Sequence, residues 1–278
     1  MGRTALTSRH SGTVFLTGSS GLVGSSLQRR VDADGLHLVP LARGDAIPPR
    51  DSSHPAILLH SAWPGSDAVS WGPFRDWSLR LREDAAERDA WFVGLGSGIE
   101  THAAHPGLKE PYKSYVMRKL ELQEELAALH RERFAWIRLH FMFGPGERPS
   151  RVVPAAIRAG FAGEPFVCGS LGRRRRWLHV DDQAEYLAAF LKAPAAGTWD
   201  IAGRHDVSFR DLLALIERAI GSDLRVAESD DPVPDSRISA ISPERMASVV
   251  PNDAGDPSTL LSRLRDYAGQ LASQSTGL

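Results

Sequence analysis

Tyr115 and Lys119 are the two side chains whose types and spacing most directly indicate chemistry. They lie four residues apart in a segment, 114–131, that is predicted to be helical, so both project from one face. An ammonium group beside a phenol is expected to lower the pKa of the phenol from about 10, which makes the phenol a proton donor near neutral pH. With four Tyr and four Lys in the chain, this spacing is expected by chance only about 0.06 times. The alternative is an i,i+4 pair on an exposed helix surface.

A glycine-rich turn near the N-terminus is the second chemical feature. The stretch Thr17-Gly18-Ser-Ser-Gly21-Leu-Val-Gly24 follows a short apolar run and opens a predicted helix. Backbone N–H groups at a helix N-terminus bind the diphosphate of a dinucleotide, and glycines let the backbone approach it closely. The spacing differs from G-x-G-x-x-G, and a purely structural turn is the alternative.

The end of the second predicted strand bears on which dinucleotide fits. Many dinucleotide folds have an acidic residue here, which binds the ribose and repels a 2′-phosphate. This chain has Ala42 followed by Arg43. A small neutral residue beside a guanidinium suits a 2′-phosphate, so NADP(H) is favoured over NAD(H). An ordinary surface Arg is the alternative.

These side chains need a scaffold, and the apolar runs predict one. Five strand-like runs alternate with polar or helical stretches, which is typical of a parallel sheet in an α/β fold. Ser97 follows the fourth run, where the carboxyl ends of parallel strands form a ligand crevice. Pro40 argues against a long, regular second strand. The predicted strands are 13–17, 37–42, 56–60, 91–95 and 134–139, then 165–168 and 177–180; the predicted helices are 21–31, 114–131, 152–161, 181–191 and 208–220; the apolar stripe of the second helix is Leu120, Leu122, Leu126 and Leu129.

Charge and composition argue against several classes of function. The chain has 278 residues, 33 basic and 34 acidic side chains and one cysteine, Cys168. A net charge of −1 provides no general attraction to nucleic acid or to an acidic membrane surface. One cysteine forms neither an intramolecular disulfide nor a thiolate metal cage. No run approaches the roughly 20 apolar residues of a membrane span, and residues 1–12 lack a secretory signal, so we expect a cytoplasmic protein.

With these parts in this order, the sequence resembles the extended short-chain dehydrogenase/reductase family from about Thr13 to Ile220. Within that family it is most similar to nucleotide-sugar epimerases, dehydratases and reductases. Three later segments carry the resemblance further. They are Arg138-Leu-His-Phe-Met-Phe-Gly-Pro-Gly146, similar to the family's Arg-Leu...Tyr-Gly-Pro-Gly; Arg175-Arg-Trp-Leu-His-Val-Asp-Asp182, similar to Arg-Asp-Phe-Ile-Tyr-Val-Asp-Asp; and Trp199-Asp-Ile-Ala-Gly203, similar to Tyr-Asn-Ile-Gly.

The resemblance implies a role for each matching residue. Tyr115 would be the general acid/base, Lys119 would bind the nicotinamide ribose and tune Tyr115, and Ser97 would hydrogen-bond the substrate carbonyl. Arg175 would bind the substrate diphosphate, with a solvated basic run or a nucleic-acid patch at 173–176 as the alternatives. The predicted cofactor-binding residues are Gly18, Ser20, Gly21, Leu22, Val23, Gly24, Arg43, Ala62, Tyr115 and Lys119, and the predicted substrate-binding residues are Trp63, Ser97, Gly98, Phe141, Val153, Arg175 and His179.

The same resemblance implies a Rossmann doubly wound parallel sheet with a small C-terminal substrate-binding cap. We expect residues 12–145 and 175–203 to form the Rossmann domain, residues 146–174 and 204–270 to form the smaller domain, and residues 1–11 to be disordered. Relatives often dimerise through two helices, one of which bears the tyrosine, so a homodimer is implied. No metal site is expected, since His102 and His105 lack acidic or thiol partners. His60 is expected to be a packed strand histidine.

Departures from the family pattern narrow the expected reaction. Gly-Ile-Glu follows Ser97, without the acidic pair of similar 4,6-dehydratases, and Ile99 stands where epimerase-reductases have a Cys. Phe141 and Arg176 replace the usual Asn and Asp. The leading hypothesis is NADPH-dependent reduction of the 4-keto group of a nucleotide-linked 4-keto-6-deoxysugar, with dTDP favoured as the nucleotide. The alternatives are an NAD-dependent, redox-neutral nucleotide-sugar epimerase and a non-catalytic NAD(P)-sensing protein.

Overall fold

The computed structural model describes residues 12–31, 35–48, 56–64, 69–169, 171–228 and 243–275. Residues 1–11, which are predicted to be disordered, lie outside the described residues.

Strands and helices alternate along most of the described chain. The predicted elements are present, with bounds that differ by at most two residues from those expected. The strands are β1 (Thr13–Thr17), β2 (His37–Leu41), β3 (Ile57–His60), β4 (Trp91–Ser97), β5 (Phe134–Leu139), β6 (Met142–Phe143), β7 (Phe166–Cys168), β8 (Arg174–Arg175), β9 (Leu178–His179), β10 (Gly197–Ile201), β11 (Val207–Ser208) and β12 (Val226–Glu228). The helices are α1 (Leu22–Val31), α2 (Trp71–Glu87), α3 (Tyr112–Leu129), α4 (Val152–Ala162), α5 (Val180–Lys192), α6 (Phe209–Ile220) and α7 (Pro257–Ser275), of which α2 and α7 were not predicted.

A parallel sheet of six strands lies at the centre, in the order β10-β5-β4-β3-β1-β2. The strand order reverses between β1 and β3, which makes the sheet doubly wound. The predicted Rossmann-like α/β fold is confirmed. Pro40 lies in β2 at the edge of the sheet, a position that tolerates a residue without a backbone N–H.

Alternate side chains of the sheet point into two hydrophobic cores, one on each face. On one face Leu16 and Val93 pack in the same core as Leu27 of α1 and Leu187 of α5. On the other face the aromatic residues of β4 and β5 pack against α2 and α3. Because helices cover both faces, only the ends of the strands remain open to a ligand.

A third core lies in the later part of the chain, where α4, α6 and α7 pack together. It contains Phe143, Ile157 and Leu264 and is the expected location of the substrate-binding cap. Residues 246–254 pack instead against the sheet, because Ala247 donates a backbone hydrogen bond to Asp200 O of β10 (3.0 Å). The domain prediction placed 246–254 in the smaller domain, and its boundaries remain a prediction. None of the described helices is long and apolar enough to cross a membrane.

Candidate active site

The carboxyl ends of β1 and β3 are joined by a buried hydrogen-bond chain through His60. Ser78 Oγ donates to Phe74 O (2.8 Å), so it accepts from Nε2 of His60 (2.9 Å) and places the ring proton there. Nδ1 of His60 then accepts from Thr17 Oγ1 (2.9 Å), which in turn accepts from Ala62 N (3.2 Å). Burial, helped by the charge of Lys119, lowers the pKa of His60 to about 3, so it stays neutral. His60 is confirmed as a packed strand histidine.

The predicted phosphate turn has a backbone shape that only glycines permit. Gly18 adopts a φ of 70°, and a Cβ there would lie 2.7 Å from Ala62 N. A Cβ at Gly24 would lie 2.8 Å from Ser19 Cα and would overlap the carbonyl oxygen of Gly18. Ser20 and Gly21 are exposed at the start of α1, whereas the side chains of the next two residues, Leu22 and Val23, are half-buried. The turn therefore has a shape that leaves room for a diphosphate at a helix N-terminus, and binding of a cofactor there stays a prediction.

Replacement of Gly24 by Ala is expected to destabilise the protein by about 1–3 kcal/mol and to weaken binding of a dinucleotide at the turn, because the new methyl group meets backbone atoms that do not yield. Gly269→Ala in α7 is the matched control, because nothing lies within 4 Å of its Cβ position. Removal of a helical glycine there is expected to stabilise by about 0.5–1 kcal/mol. Thermal unfolding and NADPH fluorescence titration measure both effects. A Gly24→Ala protein as stable as Gly269→Ala would contradict the close backbone packing at Gly24.

The structure brings Ser97, Tyr115 and Lys119 together. Ser97 ends β4, and its side chain lies near the hydroxyl of Tyr115 in the first turns of α3, where it lowers the pKa of that phenol in part. One turn further on, Lys119 is 5% exposed and donates from Nζ to Leu95 O of β4 (2.6 Å). Its ammonium lies 5.9 Å from the centre of the Tyr115 ring. The predicted catalytic residues thus share one end of the sheet.

The electrostatics of this group differ from the sequence prediction. Burial raises the pKa of Tyr115 to about 12, although the nearby side chain of Ser97 lowers it in part. Burial also lowers the pKa of Lys119 to about 8, and the charge of Glu100 opposes that shift. The expected lowering of the phenol pKa by Lys119 is therefore wrong for this structure. The reason is that burial of the phenol outweighs the effects that lower its pKa, while the ammonium of Lys119 donates to Leu95 O.

Trp63, a predicted substrate-binding residue, forms an aromatic wall over the same group. The Lys119 ammonium lies 4.0 Å from its ring centre, a favourable cation–π distance. The Trp63 ring is 5.4 Å from that of Tyr115 and 5.5 Å from those of Trp71 and Phe74. These neighbours fix the indole where it limits access of water to Lys119.

Glu100 is a buried residue at this site that the sequence interpretation left without a role. It is 3% exposed, and its carboxylate accepts from Ser97 N (2.6 Å) and from Trp136 Nε1 (2.9 Å). The available signal in the sequence was Glu100 itself, because it is the one charged residue in the stretch Gly-Leu-Gly-Ser-Gly-Ile-Glu.

A second buried network supports Gly98 from below. Asp200 is completely buried and accepts two hydrogen bonds from Arg138 (2.9 and 2.6 Å) and one from His140 (2.8 Å). A Cβ at Gly98 would lie 2.7 Å from Cε1 of His140, so the histidine ring fills the space beneath the turn that follows Ser97. Gly98 therefore contributes backbone and close packing to the site.

The turn after β2 carries both predicted and unpredicted side chains. Ala42 and Arg43 are exposed there, at the place expected for the adenosine ribose. Asp45, which the sequence interpretation did not consider, accepts a hydrogen bond from Ala42 N through Oδ2 (2.8 Å). Its carbonyl oxygen accepts from Trp77 Nε1 (3.0 Å), which anchors the turn to α2. A cation and an anion thus lie side by side at this corner.

The other predicted substrate-binding residues fall into two groups. Phe141 is half-buried, and the guanidinium of Arg175 lies 4.7 Å above its ring. Arg175 itself is 5% exposed and donates from Nη1 to Arg174 O (2.7 Å). Val153 and His179, in contrast, lie in packed interior: Val153 belongs to the third core, and Nδ1 of His179 accepts from Asp181 N at the start of α5. Burial lowers the pKa of His179.

No group of three or more His, Cys, Asp or Glu side chains able to hold a metal ion occurs in the described ranges. His102 and His105 face each other with ring centres 6.5 Å apart.

The segment from β4 to the strand β10 matches a known protein family. Residues 92–202 match the NAD dependent epimerase/dehydratase family. The predicted family resemblance is confirmed over this segment. The prediction of an NAD(P)-dependent enzyme of oxidoreductase type agrees with this family. No curated protein has a matching sequence.

Solved structures of this group are similar over nearly the whole chain. UDP-N-acetylglucosamine 4-epimerase from Methanobrevibacter ruminantium, in complex with UDP-N-acetylmuramic acid, has a TM-score of 0.73 at 18% identity, covering 95% of this chain and 99% of its own. RMD from Pseudomonas aeruginosa, complexed with NADPH, has a TM-score of 0.68 at 19% identity, covering 96% and 100%. Thermus thermophilus UDP-glucose 4-epimerase, complexed with NAD, has a TM-score of 0.64 at 17% identity, covering 94% and 99%. At these identities the likeness shows the fold.

Proposed function

We propose that this chain is an NADPH-dependent reductase of the 4-keto group of a nucleotide-linked 4-keto-6-deoxysugar, with dTDP as the favoured nucleotide. The grouping of Ser97, Tyr115 and Lys119 at one end of the sheet carries the proposal. The phenol of Tyr115, whose pKa burial raises to about 12, is protonated at neutral pH. A ketone that receives a hydride also needs a proton on its oxygen, and a protonated phenol supplies one. Reduction is favoured over epimerisation by the sequence, because no acidic pair follows Ser97 and Ile99 stands where epimerase-reductases have a Cys.

Each residue of the site has a place in this reaction. Tyr115 donates its proton to the substrate carbonyl oxygen, and Ser97, whose side chain lies near that phenol, orients the same oxygen. The glycines of the phosphate turn would hold the cofactor diphosphate, and Lys119 would bind the nicotinamide ribose. When bound, NADPH supplies the hydride. Trp63 closes the site on the side of Lys119 and so excludes water from it.

The comparisons support the general class. The matched family is NAD dependent, and RMD was solved with NADPH. The first-mentioned epimerase was solved with a UDP-linked sugar acid, which is consistent with a nucleotide-sugar substrate. Arg175, buried beside Phe141, is the candidate ligand for the substrate diphosphate in this proposal.

A second candidate, redox-neutral epimerisation with NAD, is favoured by one observation. Asp45 places a carboxylate beside Ala42, at the corner where NAD-dependent folds bind the adenosine ribose. A carboxylate there repels a 2′-phosphate, whereas the neighbouring Arg43 attracts it. Cofactor preference therefore distinguishes the two candidates, because the reductase is expected to use NADPH and the epimerase to use NAD.

A panel of nucleotide 4-keto-6-deoxysugars, linked to dTDP, UDP and GDP, tests the proposal with NADPH and with NADH. We expect stoichiometric NADPH oxidation with a dTDP-linked substrate, at a kcat on the order of 1–10³ s⁻¹. We also expect slower turnover with NADH, because only NADPH offers a 2′-phosphate to Arg43. Absence of NADPH consumption, together with interconversion of 4-epimers by protein that retains NAD, would establish the second candidate instead.

A further inference from the structure

We propose that Glu100 is a positioning residue of the candidate active site: its carboxylate holds the backbone of Ser97 and presents a negative charge to Lys119. This inference deepens the proposed function and rests on it for its catalytic meaning. Glu100 lies in the short 3₁₀ turn Gly98–His102, directly after the end of β4.

The hydrogen bonds of Glu100 connect it to both sides of the site. One carboxylate oxygen accepts from Ser97 N (2.6 Å) and the other from Trp136 Nε1 (2.9 Å). The ammonium of Lys119 lies 5.7 Å from the centre of the Trp136 ring. The carboxylate therefore lies behind the residues that face the substrate, and both of its partners are hydrogen-bond donors. The ionised form is the one that satisfies both donors.

The surrounding chain is shaped to admit this carboxylate. A Cβ at Gly96 would lie 2.8 Å from Oε1 of Glu100 and would overlap the indole nitrogen of Trp136. The glycine in β4 thus leaves the space that the acid and the indole occupy. Burial raises the pKa of Glu100 above its ordinary value, and Lys119, the two hydrogen bonds and Arg138 oppose only part of that rise. The charged and titratable groups that interact with Glu100 are Lys119 and Tyr115 from α3 and Arg138 from β5.

The charge of Glu100 acts on the two titratable residues of the site in the same direction. It raises the pKa of Lys119, against the larger effect of burial, and it raises the pKa of Tyr115. Both effects favour the protonated forms. A proton donor and a ribose-binding ammonium each require the protonated form, so the buried anion maintains the state that reduction needs.

The direct test is the pKa of Lys119 in the intact protein. The chain has only four lysines, so NMR of isotopically labelled lysine side chains resolves them, and Lys119→Arg assigns the signal. We expect the pKa of Lys119 to fall from about 8 in the wild type to about 7 or below in Glu100→Gln. The upper limb of the pH dependence of kcat/KM should move down by the same amount. An unchanged Lys119 pKa overturns the proposal, because Gln removes the charge that is proposed to act on Lys119.

Two further variants keep the test decisive. Glu125 lies in α3, the helix that carries Lys119, and its carboxylate pairs with Arg75. Glu125→Gln removes that carboxylate and should leave the Lys119 pKa unchanged. Glu100→Asp keeps the charge on a shorter side chain that does not reach Ser97 N in the same way. It should lower kcat about tenfold or more while the pKa of Lys119 stays close to 8. If Glu100→Gln does not fold, a Glu100→Asp protein whose Lys119 pKa has dropped to 7 overturns the proposal.

The NMR measurement does not depend on the substrate. If wild-type protein reduces none of the 4-keto sugars, the proposed function fails, and the Lys119 titration still decides the role of Glu100. If reduction occurs and the titration is unmoved by Glu100→Gln, only the inference about Glu100 fails.

Discussion

Replacement of Tyr115 by Phe is expected to lower kcat for NADPH oxidation by a factor of about 10²–10⁴, the usual contribution of a positioned general acid. The phenol oxygen is the group that carries the proton, and Phe keeps the ring that packs 5.4 Å from Trp63. The fold should therefore change little, since the packing of the ring is retained. NADPH binding should be nearly unchanged, because no residue of the glycine turn is affected.

Tyr112→Phe is the matched control for this experiment. Tyr112 begins the same helix and is 61% exposed, so removal of its hydroxyl is expected to alter neither turnover nor stability. Stopped-flow measurement of NADPH oxidation gives the rates, and fluorescence titration gives cofactor affinity. If Tyr115→Phe turns over within a few-fold of the wild type, then another group donates the proton and the proposed function loses its central support.

The elements of the sheet could be predicted because each is a short apolar run bounded by turn residues. β4 is the instructive exception, since it continues through Gly96 and Ser97, two residues beyond the predicted end. Glycine in a strand usually signals a break, yet here the indole of Trp136 on β5 lies where a side chain at Gly94 or Gly96 would be. That packing partner is distant in sequence, and the local sequence of β4 does not predict it.

The buried face of α3 shows a second limit of the sequence pattern. The predicted stripe included Leu129, which is 43% exposed, whereas Val116 and Lys119 are buried with Leu122 and Leu126. Periodicity counts Lys as polar and places it outward. Lys119 is buried because its ammonium reaches Leu95 O and the face of Trp63, and both partners come from other strands or loops. Burial of Tyr115 itself raises the pKa of its phenol, which is the opposite of the shift that the sequence predicted.

One of the two unpredicted helices, α2, has a clear signal in the sequence. In α2 the buried residues Phe74, Trp77, Leu81 and Ala85 recur at helical spacing, so the pattern was present in the sequence.

The buried hydrogen-bond network of Asp200 is harder to predict, because Asp200 is separated from Arg138 and His140 by about sixty residues. Only the pairing of β10 with β5 brings them together.

Replacement of Asp200 by Asn is expected to destabilise the protein by about 3–5 kcal/mol, the usual consequence of leaving a buried charge without its partner. Asp200 is completely buried between Arg138 and His140, and the guanidinium of Arg138 would lose two charge-assisted hydrogen bonds. Native domains have about 5–15 kcal/mol of stability, so the variant is expected to be largely unfolded at moderate denaturant. Urea unfolding followed by tryptophan fluorescence measures the loss.

The pH dependence of this loss has a definite sign. Burial by itself raises the pKa of Asp200, but the hydrogen bonds from His140 and Arg138 outweigh it and hold the pKa below its ordinary value of 3.8. A depressed carboxyl pKa gives stability that is fully present above 3.8 and is lost as the pH falls through the lower folded value. The free energies of unfolding of the wild type and of Asp200→Asn should therefore differ most near neutral pH and converge in acid.

Asp76→Asn is the control. It removes an exposed partner of Arg75 and should cost less than about 1 kcal/mol at every pH. Because His140 also packs beneath Gly98, Asp200→Asn should disturb the Ser97 turn even where it stays folded, and the remaining folded protein should show reduced turnover. An Asp200→Asn protein with wild-type stability at neutral pH would show that the buried network does not hold the sheet end together.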